Sequence, residues 1–392
     1  MSKGKVIGSV AAAVFILPYF DISASNTLYY FGNDTNISAS GTISLSKEEL
    51  QEYKSRYADT MTGYFKAQLD ENETYIYNAV MYASENGYSD IFLPEDVFGG
   101  GSFDKAHELE YVITFLSCDS PFVAHNYTTD NILKGNIEQF AGKSYYHIQL
   151  ETLGEEYKSR REAAYEKAKS VIASIPDDCD SDAEKARYLY NYVAINASYQ
   201  LEDYSTRNVP VADLLIDGKA ICDGYADTVT MLFNMAGIET ASANGVSNET
   251  KSGHTINFAK LDGEYYYFDA SADSIVFEKG FKPAFYFGMS WEETSDSFTF
   301  DDKFQNRCPK TEKSLLSGNI DIVISDSSEK TIEKTAELVK SGGDMGIIVK
   351  FENGISDDDR KSITNSVALK AGEQIGSLSA DNRLYGIKIY KE

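Results

Sequence analysis

The segment DGKAICDGYADTVTMLFNMAGI (residues 217–238) places a single cysteine, Cys222, between glycines and ahead of a helical pattern. Apolar residues recur there at helical spacing, and Gly237 is typical of a helix end. The apolar positions are Ala226, Val229, Leu232, Phe233 and Met235. The pattern predicts a helix that begins at Cys222 or within one turn of it.

Two interpretations of Cys222 are open on this segment alone. As a nucleophile it would use the unpaired N–H groups and the dipole of the helix start, which favour a thiolate over a thiol. Gly218 and Gly224 would then let a substrate backbone approach the sulfur. As a structural residue, Cys222 would be a small apolar side chain that fills the core. For Cys118 and Cys308 we expect only that structural role.

A second segment, HTINFAKLDGEYYYFDAS (residues 254–271), predicts a β-hairpin with a titratable pair at its open end. Asp262 and Gly263 lie between two alternating apolar runs, which is the signature of a two-residue turn. The register of such a hairpin makes His254 and Asp269 diagonal neighbours on one face, roughly 7 Å apart between backbones. An imidazole and a carboxylate can meet across that distance.

Cys222, His254 and Asp269 supply a thiol, an imidazole and a carboxylate, the groups that thiol catalysis requires. The imidazole would take the thiol proton, and the carboxylate would fix the ring tautomer and support its positive charge. The thiolate would attack an amide carbonyl to form a thioester. The backbone N–H of Cys222 would stabilise the oxyanion, and Gln200 and Tyr199 are candidates for a second donor.

These motifs resemble those of the bacterial transglutaminase-like superfamily. GKAICDGYA (218–226) is similar to the cysteine motif of the family, and residues 254–271 resemble its histidine–aspartate hairpin. SDAEKARYLYNYVAINASYQ (181–200) resembles the helix and strand that precede the cysteine. The resemblance covers residues 155–275. It implies a papain-like α+β core, in which a helix carrying the cysteine packs against an antiparallel sheet carrying the histidine and the acid.

The chain departs from the family pattern beside its histidine and beside its aspartate. The family often has tryptophan two residues after the histidine, where this chain has Ile256. It often has Thr-Trp after the aspartate, where residues 270–272 read Ala-Ser-Ala, and Trp291 lies outside the motifs. We expect Gly224, Tyr225 and Ile256 to contribute to the substrate cleft.

The chain is long enough for several domains. Residues 42–150 carry the patterns of a mixed α/β region, including an amphipathic helix over 46–64. Residues 155–305 are expected to form the transglutaminase-like catalytic domain. Residues 318–392 alternate strand and helix patterns in the order βαβαβ, which predicts a small α/β domain whose second helix covers 356–377.

The first residues carry the pattern of an export signal. Lys3 and Lys5 precede the apolar run VIGSVAAAVFILPYF (6–20), and small residues follow in ISASN (22–26). This order is typical of a signal peptide, and the run is shorter than the roughly 20 residues of a spanning helix. We expect residues 1–24 to be a signal peptide or, alternatively, an uncleaved membrane anchor. The protein would then be secreted or held at the cell surface.

Composition and residue spacing exclude several classes of partner. The chain has 36 Lys and Arg residues against 61 Asp and Glu residues, and its net charge of −25 would repel nucleic acid phosphates. The His and Cys residues show no spacing typical of metal ligands, so we expect neither a metal nor a cofactor. The expected partner is a protein, a peptide or an amide-linked cell-wall substrate.

Three functions fit these residues. The first is a cysteine hydrolase that acts on peptides or cell-wall amides, and the second is an acyltransferase that cross-links glutamine and lysine side chains. The third is a binding or structural module that keeps the fold without catalysis. We expect the hydrolase, because the transferases of the family are helped by tryptophan walls that exclude water. Here Ile256 occupies one of those positions.

Overall fold

A computed structural model describes residues 28–31, 42–45, 47–86, 90–98, 102–122, 136–140, 143–149, 155–200, 209–352, 355–380 and 384–389. The chain divides into two compact units, Met1–Ser159 and Arg160–Glu392. The predicted signal peptide or anchor, residues 1–24, lies outside the described residues. In the ranges given above, no helix is both long and apolar enough to span a membrane.

The first unit contains an antiparallel sheet of five strands in the order β2-β1-β3-β5-β4. The strands are β1 (Leu28–Phe31), β2 (Thr42–Leu45), β3 (Asp90–Pro94), β4 (Asn136–Phe140) and β5 (Lys143–Gln149). The helices of this unit are α1 (Lys47–Glu52), α2 (Glu71–Asn86) and α3 (Ser102–Asp119). Helix α4 (Glu155–Ile172) begins here and continues into the second unit.

The predicted helix over 46–64 is wrong beyond Glu52, where α1 ends. Short 3-10 turns follow instead, and the chain is held there by the end of α3. The backbone N–H groups of Phe65 and Lys66 donate to the Asp119 carboxylate at 3.0 and 2.9 Å, and that of Thr62 donates to the Asp119 carbonyl at 3.1 Å. These tertiary hydrogen bonds replace the helical ones, and local apolar spacing cannot reveal them.

The second unit begins with the helix and sheet core to which the cysteine and histidine segments belong. Its elements are α5 (Asp182–Ile195), β6 (Ser198–Tyr199), α6 (Pro210–Leu215), β7 (Lys219–Ala220), α7 (Cys222–Met235), β8 (Thr240–Ser247), β9 (Gly253–Leu261), β10 (Glu264–Phe268), α8 (Ala270–Glu278), β11 (Phe287–Met289), α9 (Trp291–Ser297), β12 (Phe298–Phe300) and α10 (Asp302–Gln305). Five strands form an antiparallel sheet in the order β11-β10-β9-β8-β12. Helix α7 packs on β8 and β9 and contacts α5 and α8. This is the predicted α+β, papain-like core.

The hairpin of β9 and β10 has the predicted register. Leu261 pairs with Glu264, and the register continues to the pair of Asn257 and Phe268. The two turn residues both have positive φ, 50° at Asp262 and 92° at Gly263. Positive φ at both positions is the type I′ turn, whose twist matches that of the flanking strands. The turn therefore places the end of β10 beside the start of β9.

The end of the chain forms a four-stranded sheet in the order β13-β14-β16-β15. The elements are β13 (Ile322–Ile324), α11 (Glu329–Ser341), β14 (Ile347–Phe351), α12 (Asp357–Ala371), β15 (Ile375–Ala380) and β16 (Leu384–Ile389). The predicted helix over 356–377 is too long, because Gly372 ends α12 in the left-handed conformation with φ 70°. Its last predicted residues belong to β15, so the order is βαβαββ.

The apolar faces of these helices and strands enclose a core of their own. Ile324, Val349 and Val367 have no exposed surface, and Ile347 and Ile387 pack with them. The division at Ser159 keeps this sheet and the preceding core in one unit. The predicted boundary between residues 305 and 318 stays a prediction.

Candidate active site

Cys222 is the first residue of α7, as the sequence predicts. Strand β7 leads into it and pairs in parallel with β6, where Tyr199 lies opposite Ala220. Ile221 precedes the helix in an extended conformation and supplies no side-chain cap. The first-turn N–H groups and the helix dipole therefore act at the sulfur without a competing cap. The thiol is free, and Cys222 is 7% exposed.

His254 and Asp269 meet as the hairpin register predicts. His254 lies near the start of β9, and its Nε2 is 2.6 Å from Oδ2 of Asp269, the residue that follows β10. Oδ1 of Asp269 caps α8, where it accepts from the Ala272 backbone N–H at 2.9 Å and from the Ser271 hydroxyl at 2.7 Å. Oδ1 thus accepts hydrogen bonds from the start of α8, and Oδ2 faces the imidazole.

The charges of this pair depend on each other. Burial by itself disfavours the imidazolium, but the charge and hydrogen bond of Asp269, together with Cys222, raise the pKa of His254 to about 11. Burial also disfavours the Asp269 carboxylate, yet the His254 charge and the donors from Ala272 and Ser271 lower its pKa below the usual value. The structure therefore favours an imidazolium–carboxylate pair.

The sulfur of Cys222 is a near neighbour of the His254 ring, because Cys222 is one of the groups that raise the pKa of the imidazole. Because Nε2 faces Asp269, Nδ1 is the ring nitrogen left for the sulfur. The fold thus brings together the three residues that the sequence proposed as a set, with the imidazole in the middle.

Tyr199 also faces the sulfur, whereas Gln200 is bonded elsewhere. The Tyr199 hydroxyl lies close enough to Cys222 for both the backbone and the side chain of the cysteine to affect the pKa of the tyrosine. Burial and the charges of Cys222 and Asp269 raise the pKa of Tyr199 to about 12, so the hydroxyl keeps its proton at neutral pH. The Gln200 amide donates to the Ser198 hydroxyl at 3.4 Å. Of the two candidates for the second oxyanion donor, the geometry favours Tyr199.

The three residues expected in the substrate cleft are buried, and the structure assigns them to packing. Ile256 is 2% exposed and Tyr225 is 1% exposed, with its hydroxyl 2.7 Å from the Ser274 hydroxyl. At Gly224, an added Cβ would meet the Cβ of Ala220 at 2.8 Å and the carbonyl oxygen of Pro210 at 3.1 Å. Gly224 therefore allows α7 to pack closely on β7 and α6, and the expected contribution of these three residues to the substrate cleft stays a prediction.

The other glycine before the cysteine is also explained by the backbone. Gly218 has φ 67°, a left-handed conformation that favours glycine at the turn into β7. Its carbonyl accepts from the Ser198 backbone N–H at 2.9 Å, which continues the pairing of β6 with β7. Gly218 thus shapes the approach of the chain to Cys222, and the structure assigns it no part in admitting a substrate.

Several neighbours of the site were not found from the sequence. Oδ1 of Asp223 is 3.7 Å from the Cys222 sulfur and accepts from the Thr255 hydroxyl at 2.6 Å. The Phe298 ring lies 6.2 Å from the His254 ring, measured between centroids. Asp223 adjoins the cysteine in sequence and could have been noticed. Phe298 comes from β12, whose pairing with β8 has no local signal.

No metal centre emerges from the part of the chain that the structure describes. In that part, no three His, Cys, Asp or Glu residues are grouped so that they could hold a metal ion. The chemistry that the site offers is that of a thiol, an imidazole, a carboxylate and the hydroxyl of Tyr199.

Comparison with known proteins agrees with this arrangement. Residues 169–270 match the model of the transglutaminase-like superfamily, a range that includes all three members of the set. A search of curated proteins gave no significant match.

Three solved structures match part of this chain. A protein described as a TGase has 16% identity and a TM-score of 0.25, over 36% of this chain and 44% of its own. A candidate cysteine protease from Cytophaga hutchinsonii has 11% identity and a TM-score of 0.25, over 35% and 61%. A candidate protease from Parabacteroides distasonis has 13% identity and a TM-score of 0.22, over 34% and 35%. The chain thus spans 35 to 61% of the length of these structures.

Proposed function

Since residues 169–270 belong to the transglutaminase-like superfamily, we propose that this chain is a thiol enzyme that hydrolyses amide bonds through a thioester on Cys222. The observation that carries the proposal is the order of groups at the site. The sulfur lies at the start of a helix, Cys222 is close enough to His254 to help raise the pKa of the imidazole, and Oδ2 of Asp269 lies 2.6 Å from Nε2 of that ring. A merely structural cysteine requires none of these neighbours.

The first half of the reaction forms the thioester. The His254 ring already carries the proton of the Cys222 thiol as an imidazolium, and the thiolate sulfur attacks the carbonyl carbon of the substrate amide. The new S–C bond forms as the C–N bond breaks, and the imidazolium gives its proton to the leaving amine. Asp269 stabilises the imidazolium and holds the ring so that Nδ1 faces the sulfur.

The second half consumes one water molecule. His254 takes a proton from the water, whose oxygen attacks the thioester carbon, and the C–S bond breaks. The carboxylic acid leaves, the sulfur is released as a thiolate, and the proton taken from water stays on the His254 ring. The enzyme is then restored to its starting state, with one amide bond cleaved for one water consumed.

Two donors are available for the negative oxygen of the tetrahedral intermediates. The backbone N–H of Cys222 and the Tyr199 hydroxyl are close neighbours at the sulfur. A substrate carbonyl oxygen that enters between them would accept from both the N–H and the hydroxyl. Such donors act where charge develops in the transition state, and their removal in other enzymes costs about two to three powers of ten in rate.

Hydrolysis is favoured over acyl transfer by what surrounds His254. Among the residues that the structure describes, the aromatic ring beside the imidazole is that of Phe298, which is only 2% exposed and offers little surface to a substrate. Trp291, the single tryptophan of the chain, stacks on Phe300 at 4.2 Å and lies under Lys310 instead. The net charge of −25 would attract lysine-bearing acceptors. This attraction raises the rate at which acceptor and enzyme meet, but it does not change whether water or an amine attacks the thioester.

The deciding experiment offers the thioester both acceptors. The purified chain is incubated with an acyl-donor peptide and an excess of a lysine-like amine, and the products are weighed by mass spectrometry. We expect free acid as the main product, none with Cys222→Ala, and the wild-type yield with the control Cys308→Ala. A dominant amine adduct would identify an acyltransferase. A panel of peptides and cell-wall fragments in the same assay identifies the substrate.

We propose further that the protein is exported and acts on proteins, peptides or cell-wall amides outside the cell. The support is the order of Lys3, Lys5 and the apolar run at residues 6–20. Fractionation of the native host, followed by mass analysis of the N-terminus, tests export. An intact chain found in the cytoplasm would refute it, and retention of residues 1–24 in a membrane fraction would indicate the anchor.

A further inference from the structure

A second buried carboxylate lies one helical turn after Asp269, and a tyrosine connects the two. The Tyr190 hydroxyl, from α5, is 2.9 Å from the carbonyl oxygen of Asp269 and 2.6 Å from Oδ2 of Asp273 in α8. Neither Tyr190 nor Asp273 has any exposed surface. The mechanism above gives neither residue a chemical task.

Asp273 ties the backbone of Asp269 to the segment that leads into β11. Its Oδ1 accepts from the Phe285 backbone N–H at 2.9 Å, and its Oδ2 accepts from that of Tyr286 at 3.1 Å. The carbonyl of Tyr286 in turn accepts from the Asp269 backbone N–H at 3.1 Å. The Asp269 main chain is thus held at its N–H by Tyr286 and at its carbonyl by Tyr190.

This arrangement is a poor way to gain stability alone. Burial raises the pKa of Asp273 to about 7, even though three donors and the nearby Arg187 favour the carboxylate. Burial also raises the pKa of Tyr190 well above its usual value, so Tyr190 stays a neutral donor. Apolar residues of similar volume stabilise such a site as well or better than buried polar groups do. We therefore infer that the benefit of this arrangement is the direction that it gives the Asp269 carboxylate, and not the free energy of folding.

We propose that Tyr190 and Asp273 are positioning residues that set the direction in which the Asp269 carboxylate faces His254. Oδ1 of Asp269 is occupied by the α8 cap, so the direction of Oδ2 follows from the main chain at this residue. Tyr190 holds the carbonyl of that main chain directly, and Asp273 holds Tyr190 and the backbone of Tyr286. The kinetic part of this inference rests on the proposed function, and its spectroscopic part does not.

The test compares two buried tyrosines that each lose one hydroxyl. Tyr190→Phe removes the bond to Asp269 and keeps the ring. The matched control is Tyr267→Phe, because Tyr267 is equally buried and its hydroxyl donates to the Pro309 carbonyl at 2.8 Å, away from His254. Both changes remove a donor to a backbone carbonyl, and Tyr190→Phe also removes the donor to Asp273, so a purely structural role predicts a change in stability but none at the His254 ring.

Two readouts separate positioning from stability. With the peptide substrate, we expect Tyr190→Phe to lower kcat about tenfold with KM unchanged within about twofold, the size of one lost hydrogen bond. We also expect the ring N–H signal of His254, in protein labelled with 15N-histidine, to shift in Tyr190→Phe and not in Tyr267→Phe. The chain has four histidines, so the spectrum is simple to assign.

A second variant tests the proposal independently if Tyr190→Phe fails to fold. Asp273→Asn keeps the shape of the side chain but cannot accept hydrogen bonds at both positions, and it should give the same kinetic and spectral pattern. If both variants match Tyr267→Phe in kcat and in the His254 signal, positioning is refuted. If wild-type protein cleaves no amide while the His254 signal still shifts in Tyr190→Phe, the proposed function fails and the positioning stands.

Discussion

Gly245 in β8 lies directly opposite His254 in β9, and the space that its missing side chain leaves is filled by β12. A Cβ at Gly245 would meet the ring of Phe298 at 2.5 Å and would also press on the backbone oxygen of Thr299. Phe298 is the ring beside the imidazole. The position of His254 therefore depends on a residue that carries no chemistry.

Gly245→Ala should disturb this contact. Overpacking of a well-packed core costs about 1–3 kcal/mol, so we expect a loss of that size in the free energy of unfolding, measured with urea, and a lower kcat. The control is Gly253→Ala, next to His254 in β9, where an added Cβ meets nothing within 4 Å. Equal effects of the two changes would contradict the packing argument.

Cys222→Ala should abolish amide cleavage and leave the fold intact, because the sulfur is the nucleophile and the side chain is small. Cys308→Ala should keep amide cleavage and lower the free energy of unfolding, since Cys308 is 4% exposed and contributes only packing. Product formation and urea unfolding of both variants check this pair. Unchanged turnover in Cys222→Ala would end the proposed mechanism.

Thiol labelling should distinguish the two cysteines without a substrate. Burial raises the pKa of the Cys308 thiol, with little relief from Lys310, so this residue should react slowly with iodoacetamide. We expect Cys222 to be alkylated far faster at pH 7, as measured by peptide mass spectrometry over time. Equal rates at the two sites would favour a module without catalysis.

Asp269→Asn should lower kcat more than tenfold, because an amide can hold the imidazole in the wrong tautomer. Stability should change little through the cap, since asparagine caps helices about as well as aspartate. Steady-state kinetics beside His254→Ala measures the effect. If Asp269→Asn is silent while His254→Ala is inactive, another acid supports the imidazole.

The ion pair should also govern stability as a function of pH. The pKa of His254 rises from 6.5 to about 11 on folding, so its contribution is complete below 6.5 and is lost as pH rises toward 11. The pKa of Asp269 falls below 3.8, so its contribution is complete above 3.8 and is lost in more acidic solution. The unfolding free energy of wild type minus that of Asp269→Asn should therefore be largest between about pH 4 and 6.5. A difference that is constant from pH 4 to 10 would exclude the pair.

The site could be predicted from the sequence where local chemistry sets the geometry. Asp262 and Gly263 specify one turn, the turn specifies one register, and that register brings His254 to Asp269. The apolar spacing after Cys222 likewise predicted a helix start at Cys222 or within one turn of it, and α7 begins at Cys222. In both cases the determining hydrogen bonds join residues close in sequence, so pattern and structure agree.

Only the tertiary structure decided which neighbours face the site and which fill the core. Ile256 and Gly224 lie within the two sequence motifs, yet packing against other elements buries them. Tyr190 and Phe298 reach the pair from α5 and β12, which no local pattern assigns to it. The physical reason is that hydrogen bonds of turns and helices act over a few residues, whereas burial depends on segments far apart in the chain.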